Sequence, residues 1–309
     1  MCGIAGVIHK KGPSDIGAEI TRMLQAMKHR GPDSTGFALY GEPTDRVVMR
    51  IKLADPNAAA EIDFGERLER HRLELEARLG KVGALLDRIE IITEYACRVE
   101  LDYEGDLKAL VDYVEDIPGA EVLSIGHSLE IVKDLGDAVS VAEQYGLSSF
   151  RGTHAIGHVR MATESDVDIA GAHPYWAYPF ADLAVVHNGQ LTNYHQWRRR
   201  LEHLGHRFQS ECDSEIIAVY LAEQLHNDIP LETAIKQSLD DFDGVFTYVV
   251  VTKDSLGVAK DVMAAKPLVL YESDDMVALA SEEVAIRSLI DHEIDTYDPY
   301  EGEVLVWNR

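Results

Sequence analysis

At 309 residues and 46% hydrophobic content, the chain is long enough for one large or two modest hydrophobic cores. Its formal net charge of -25 would repel a phosphate backbone and an anionic membrane alike, so neither nucleic acid nor a lipid surface is expected as a partner. Cys2, Cys97 and Cys212 are odd in number and far apart, no basic segment followed by an apolar run opens the chain, and no stretch approaches about 18 uncharged apolar residues, which points away from disulfides, secretion and membrane spanning and towards the cytoplasm.

In chain order, Gly3 to Ile8 reads as a short strand, and Ile20, Met23, Leu24 and Met27 recur at helical spacing. The turn-rich segment Arg30-Gly31-Pro32-Asp33 follows. From about 55 to 145 the character changes. A charged helical stretch at Glu66 to Leu79, an alternating stretch at Ile89 to Leu101 and a helix near Leu107 to Val114 read as an inserted α/β lobe. Beyond it come strands at His154 to Val159 and Leu183 to His187, helices at Tyr194 to Leu204 and Ser214 to Leu225, and a strand-rich end with Gly244 to Thr252, Leu256 to Asp261 and Met276 to Leu279. Strands on both sides of helices, with hairpin-like pairs, suit stacked layers better than a purely parallel doubly wound sheet.

The chemistry begins at Cys2. A small residue beside Met1 invites removal of the initiator, which would leave a thiol and a free α-amine on one residue. An α-amine near 7.7 to 8.0 can take the proton of a thiol near 8.5 at about neutral pH, so nucleophile and base are combined. A small buried cysteine is the plain alternative. Four further segments follow in order: Arg30-Gly31-Pro32-Asp33-Ser34-Thr35-Gly36, Gly157-His158-Val159-Arg160-Met161-Ala162-Thr163, His187-Asn188-Gly189-Gln190-Leu191 and Cys212-Asp213-Ser214-Glu215. Taken with Met1-Cys2-Gly3-Ile4-Ala5-Gly6, the series resembles the class II glutamine amidotransferases, the N-terminal-nucleophile family, over roughly 1 to 40 and 150 to 290.

The resemblance implies an α+β, four-layer αββα sandwich, L-glutamine as substrate, and release of glutamate and ammonia through a thioester on Cys2. Arg160 matches the arginine that grips the substrate α-carboxylate, and its planar fork suits that group; Thr163 would add a hydroxyl. Asp213 matches the carboxylate that holds the α-ammonium, with a helix N-cap as the competing reading. Asn188 and Gly189 would supply a side-chain amide and a backbone N–H to the oxyanion, against the alternative of an Asn-Gly hairpin turn. Arg30 and Asp33 are expected to organise the pocket. His173 and His187 are given no chemical step, Cys212 reads as buried filler, and no metal site is expected.

No synthase motif follows these segments, so the ammonia acceptor is expected on another polypeptide. Among family members of this length, Thr21 to Gly41 is most similar to the amidotransferase subunit of glutamate-synthase-like systems, including N-methylglutamate synthase. That resemblance implies no cofactor in this chain and FMN on a partner synthase subunit. The lobe, which separates Cys2 from Arg160 further than is usual, and Met161, where an aromatic residue is frequent, depart from the family pattern. The lobe is read either as a docking or gating element or as passive decoration. Competing readings are an N-terminal-nucleophile amidohydrolase acting on another γ-glutamyl amide, and a silent scaffold or glutamine-sensing subunit.

Overall fold

The computed structural model describes residues 2–54, 61–161, 169, 171–178 and 180–309. In the first strand, β1 (Gly3–His9), Ile4 and Ile8 face one side and Ala5 and Val7 the other, and all are buried. Such a strand needs a layer on each face. With the strands numbered in chain order, it lies inside a six-stranded antiparallel sheet ordered β13 (Val269–Glu272), β14 (Met276–Ala280), β1, β8 (His154–Arg160), β2 (Ser34–Tyr40) and β7 (Leu129–Leu135). A five-stranded antiparallel sheet runs β15 (Val304–Asn308), β12 (Ser255–Lys260), β11 (Gly244–Val251), β10 (Ala184–Leu191) and β9 (Tyr175–Trp176).

The two sheets pack face to face. Ile4, Ile8, Ala38 and Tyr40 of the first meet Ala184, Val186, Val249, Val251 and Val258 of the second in one cluster. The opposite face of the first sheet, with Ala5, Val7, Phe37 and Leu39, is covered by α1 (Ile16–Ala26), α4 (Ala138–Gln144) and α8 (Glu283–Arg287). That of the second, with Val185, Tyr248 and Val250, is covered by α5 (Tyr194–His203), α6 (Asp213–His226) and α7 (Leu231–Asp241). Period-two burial on both sheets therefore builds the expected α+β sandwich of four layers, αββα.

A third, four-stranded sheet is ordered β4 (Leu85–Ile91), β5 (Ala96–Asp102), β3 (Val47–Lys52) and β6 (Glu121–Gly126). Helices α2 (Phe64–Lys81) and α3 (Leu107–Glu115) pack on it through Leu75, Leu79, Leu110, Val111 and Val114. Asp106 starts α3 by accepting hydrogen bonds from Lys108 N and Ala109 N at 2.8 and 3.3 Å.

These elements differ from the boundaries at about 55 and 145. The third sheet draws on residues from Val47 to Gly126, whereas β7 and α4 return to the main sheet and its outer helical layer. Among the elements the sequence reading did not name are β2, which is buried at every position and so shows no alternation, and α7. The alternating stretch at Ile89 to Leu101 is a hairpin of two strands.

Candidate active site

Cys2 immediately precedes β1, which pairs Gly3 with Val159 of β8. That register puts the thiol beside the exit of β8, where Met161 N donates to Sγ at 3.4 Å. Two side chains hold the Cys2 carbonyl: Arg30 donates from Nε at 3.0 Å and Asn188 from Nδ2 at 3.2 Å. Arg30 is itself fixed by Glu282, 2.6 Å from Nη1. Burial would raise the Glu282 carboxyl, but hydrogen bonds from Arg30 and His29 outweigh it and hold the group below the usual carboxylate range.

Gly31 lets this loop lie against β8, since a Cβ there would stand 2.5 Å from the Arg160 carbonyl carbon. Asp33 continues the contact, donating its N–H to Arg160 O at 3.1 Å. Arg30 and Asp33 therefore reach Cys2 and Arg160 through backbone oxygens, and neither lines the cavity.

Asn188 and Gly189 lie within β10, opposite Thr247 and Phe246 of β11, which overturns the hairpin-turn alternative. Gly189 has φ +137°, and a Cβ would sit 2.1 Å from Val245 O, so both conformation and space require glycine. Asn188 is oriented from behind: its Oδ1 lies 3.1 Å from Nε2 of the buried His158, which must be the donor. Burial pushes His158 down to about 3, so the ring is neutral and donates from Nε2. The Asn188 amide nitrogen is thereby turned towards Cys2 and Ser281, whose Oγ lies 3.4 Å away and also accepts from Ile4 N at 2.9 Å.

Across the cavity, Asp213 is the first residue of α6, and Cys212 stands at the cap position without a side-chain capping bond. The Asp213 carboxylate accepts Leu191 N at 2.8 Å instead of capping its own helix. Behind it, Ser214 Oγ joins two buried histidines, His173 Nε2 at 2.7 Å and His187 Nδ1 at 2.8 Å, and burial lowers both rings from the ordinary histidine range. Cys212, read as buried filler, is half-buried: it packs against the third core cluster and also borders the cavity; burial, then Asp213, raise its thiol.

Cys2, Arg160, Asn188, Gly189 and Asp213 line one cavity of about 1060 Å³, at the large end of small-molecule sites. Arg160, the last residue of β8, is buried. Thr163 lies outside the described residues. The sequence reading gave no role to Ser281, Glu282, His158 or Ser214: Ser281 and His158 touch Asn188, Glu282 holds Arg30, and Ser214 lines the cavity and joins His173 and His187; for Ser281 and Glu282, far along the chain and in no motif, it offered no signal. Among the described residues no cluster of three or more His, Cys, Asp or Glu is set to hold a metal ion, and no helix is long and apolar enough to cross a membrane.

A sequence profile described as a glutamine amidotransferase domain matches residues 158–288. A putative glutamine amidotransferase of Methanothermobacter thermautotrophicus is 41% identical over 313 aligned residues, covering 99% of each chain. The glutamine amidotransferase-like protein GlxB of Rhizobium meliloti is 36% identical, covering 100% of this chain and 99% of its own. Among solved structures, the glutamine phosphoribosylpyrophosphate amidotransferase of B. subtilis shares the fold with a TM-score of 0.62 at 20% identity; 99% of this chain is covered, and it spans 47% of that one. Similarity along the whole chain to relatives so described, on a sandwich of this form, makes the chain a member of the class II glutamine amidotransferase family of enzymes.

Proposed function

We propose that the chain is a glutaminase subunit: it hydrolyses L-glutamine to glutamate and ammonia through a Cys2 thioester and passes the ammonia to a separate synthase subunit. The observation that carries this reading is the convergence of Cys2, Arg160, Asn188, Gly189 and Asp213 on one cavity. Arg160 and Asp213 would take the two charges of a free α-amino acid head, which disfavours an acyl amide lacking either charge.

In the proposed reaction, Met1 is removed and the α-amine of Cys2 accepts the thiol proton. The sulfur attacks the side-chain carbonyl carbon of glutamine, and the oxyanion that forms takes hydrogen bonds from Asn188 Nδ2 and Gly189 N–H. Collapse breaks the C–N bond; the nitrogen takes a proton from the α-ammonium and leaves as ammonia. Water then attacks the thioester, giving glutamate and the free thiol. Arg30, held by Glu282, keeps the Cys2 carbonyl in place while its thiol reacts. The partner is assigned to the glutamate-synthase-like or N-methylglutamate-synthase-like class, with FMN on the partner and no cofactor in this chain, and the compartment is assigned to the cytoplasm. The resemblance of Thr21 to Gly41 supports that assignment.

The test is intact mass before and after 6-diazo-5-oxo-L-norleucine, a glutamine analogue that alkylates such a nucleophile. The expected result is a chain lacking Met1 that gains one adduct, with none in Cys2→Ala. A chain that keeps Met1 and takes no label, even with its synthase present, refutes the reading.

A further inference from the structure

Part of the cavity wall is formed by 208–212 of the loop 207–212, and side-chain hydrogen bonds fix it. Glu215, in the first turn of α6, accepts Gln209 N at 2.7 Å, Ser210 N at 2.8 Å and Ser210 Oγ at 2.6 Å. Ser210 Oγ in turn accepts Cys212 N at 3.1 Å. One end of the loop is thus bound to the helical turn that carries Asp213.

The other end reaches the inserted lobe. Glu115, the last residue of α3, has a side chain only 11% exposed. Its Oε1 accepts Gln209 Nε2 at 2.7 Å and Val122 N at 2.9 Å, and its Oε2 accepts from Arg207 Nη2. The amide of Gln209 is oriented from a third side, its Oε1 accepting the Trp176 indole N–H at 3.1 Å. Arg207 also pairs with Asp112 at 3.1 Å and lies 4.0 Å over the Tyr178 ring. The Arg207 side chain is 43% exposed, so its ion pairs contribute little alone. Glu115 is the stronger point, because its loss would strand donors in a largely buried place.

We infer that Glu115 is a positioning residue for glutamine binding: through Gln209 and Arg207 the inserted lobe fixes the 207–212 loop and with it the carboxylate of Asp213. This rests on the glutaminase reading and extends it, since the Asp213 share of the affinity for the amino acid head would be set from α3 while Cys2 is held separately by the pairing of β1 with β8 and by Asn188 of β10. A movement of α3 would change the affinity for glutamine and leave the nucleophile in place.

Glu115→Ala and Glu115→Gln in the full chain test this by glutaminase kinetics together with amide hydrogen exchange across 207–212. The alanine variant is expected to raise KM for glutamine about tenfold with kcat within about threefold, the pattern of lost binding without lost chemistry. Protection of the Gln209 and Ser210 amides falls with it. The glutamine variant keeps an acceptor for Gln209 and Val122 and recovers most of the KM. An unchanged KM in Glu115→Ala, a fall in kcat alone, or no recovery in Glu115→Gln overturns the inference. If Glu115→Ala does not fold, Gln209→Ala decides in its place: a raised KM supports the inference and an unchanged one overturns it. A wild-type chain that neither hydrolyses glutamine nor takes the diazo label refutes the glutaminase reading; loop protection in the variants then judges the clamp alone, and unchanged protection overturns it.

Discussion

The two walls of the cavity are built by different means. On one wall Cys2, Arg160, Asn188 and Gly189 sit in or beside central strands of two packed sheets, whose ladders leave the backbone little freedom. On the other, Asp213 stands at the start of a helix behind a loop secured by Glu215 and Glu115. On the proposed reading, the atoms of Cys2, Asn188 and Gly189 that must meet the reacting carbonyl are placed by sheet register, whereas Asp213, which would hold one charge of the substrate, is placed by side chains that can shift; Arg160, which would hold the other charge, belongs to the strand wall. Rigid placement suits the chemical step, which responds to small misalignments.

The two walls should therefore fail in different kinetic parameters. The largest effect is expected on the strand wall: Asn188→Ala lowers kcat about 10²- to 10³-fold, the usual cost of one oxyanion donor, with KM nearly unchanged. Steady-state kinetics at saturating glutamine reads this, and a rise in KM without loss of kcat would break the comparison.

On the loop wall, Asp213→Asn keeps an acceptor for Leu191 N but removes the charge, and KM is expected to rise roughly 10- to 100-fold, in line with about 1.5 to 3 kcal/mol for a charged hydrogen bond. Isothermal titration of glutamine into Cys2→Ala, with and without Asp213→Asn, checks it without turnover; equal affinities would remove Asp213 from substrate binding.

The smallest effect concerns acid. Burial lowers His154 to about 4 and His158 to about 3 in the folded chain. Because the unfolded chain binds more protons below the ordinary histidine value of about 6.5, stability is fully present above that pH and declines as pH falls towards these values. Thermal melts should show Tm dropping between pH 7.5 and pH 5, less steeply in His154→Gln. A Tm independent of pH across this interval would contradict neutral buried rings.

Much of the strand wall was legible in the sequence because its residues sit in short runs whose order carries meaning: Cys2 in its opening run, Arg160 after Gly157-His158, and Asn188-Gly189. Their supports were not. Ser281 and Glu282 meet Asn188 and Arg30 only because β14 pairs with β1, a long-range pairing that no local pattern announces. Asn188-Gly189 shows how motif order outweighs local preference, since the pair on its own favours a tight turn, the alternative weighed in the sequence, and the sheet overrides that preference. Leu129 to Leu135 was assigned to the lobe by its neighbours in sequence, but burial on both faces belongs to the main sheet. The clamp was equally hidden, because Glu115 and Gln209 are polar residues of ordinary type whose partners lie across the fold.

The lobe leaves and rejoins the main sheet at one place. Strands β2 and β7 are antiparallel neighbours with Tyr40 opposite Leu129, and Gly41 N still donates to Ser128 O at 3.0 Å. In topological terms the third sheet is an ornament on the tip of a hairpin, so a lineage could gain, lose or exchange it without changing the register of any strand that carries the site. A chimera that closes Tyr40 to Leu129 with a short turn is designed to keep the sandwich and discard Glu115, which makes a pocket without the lobe something that can be built and compared.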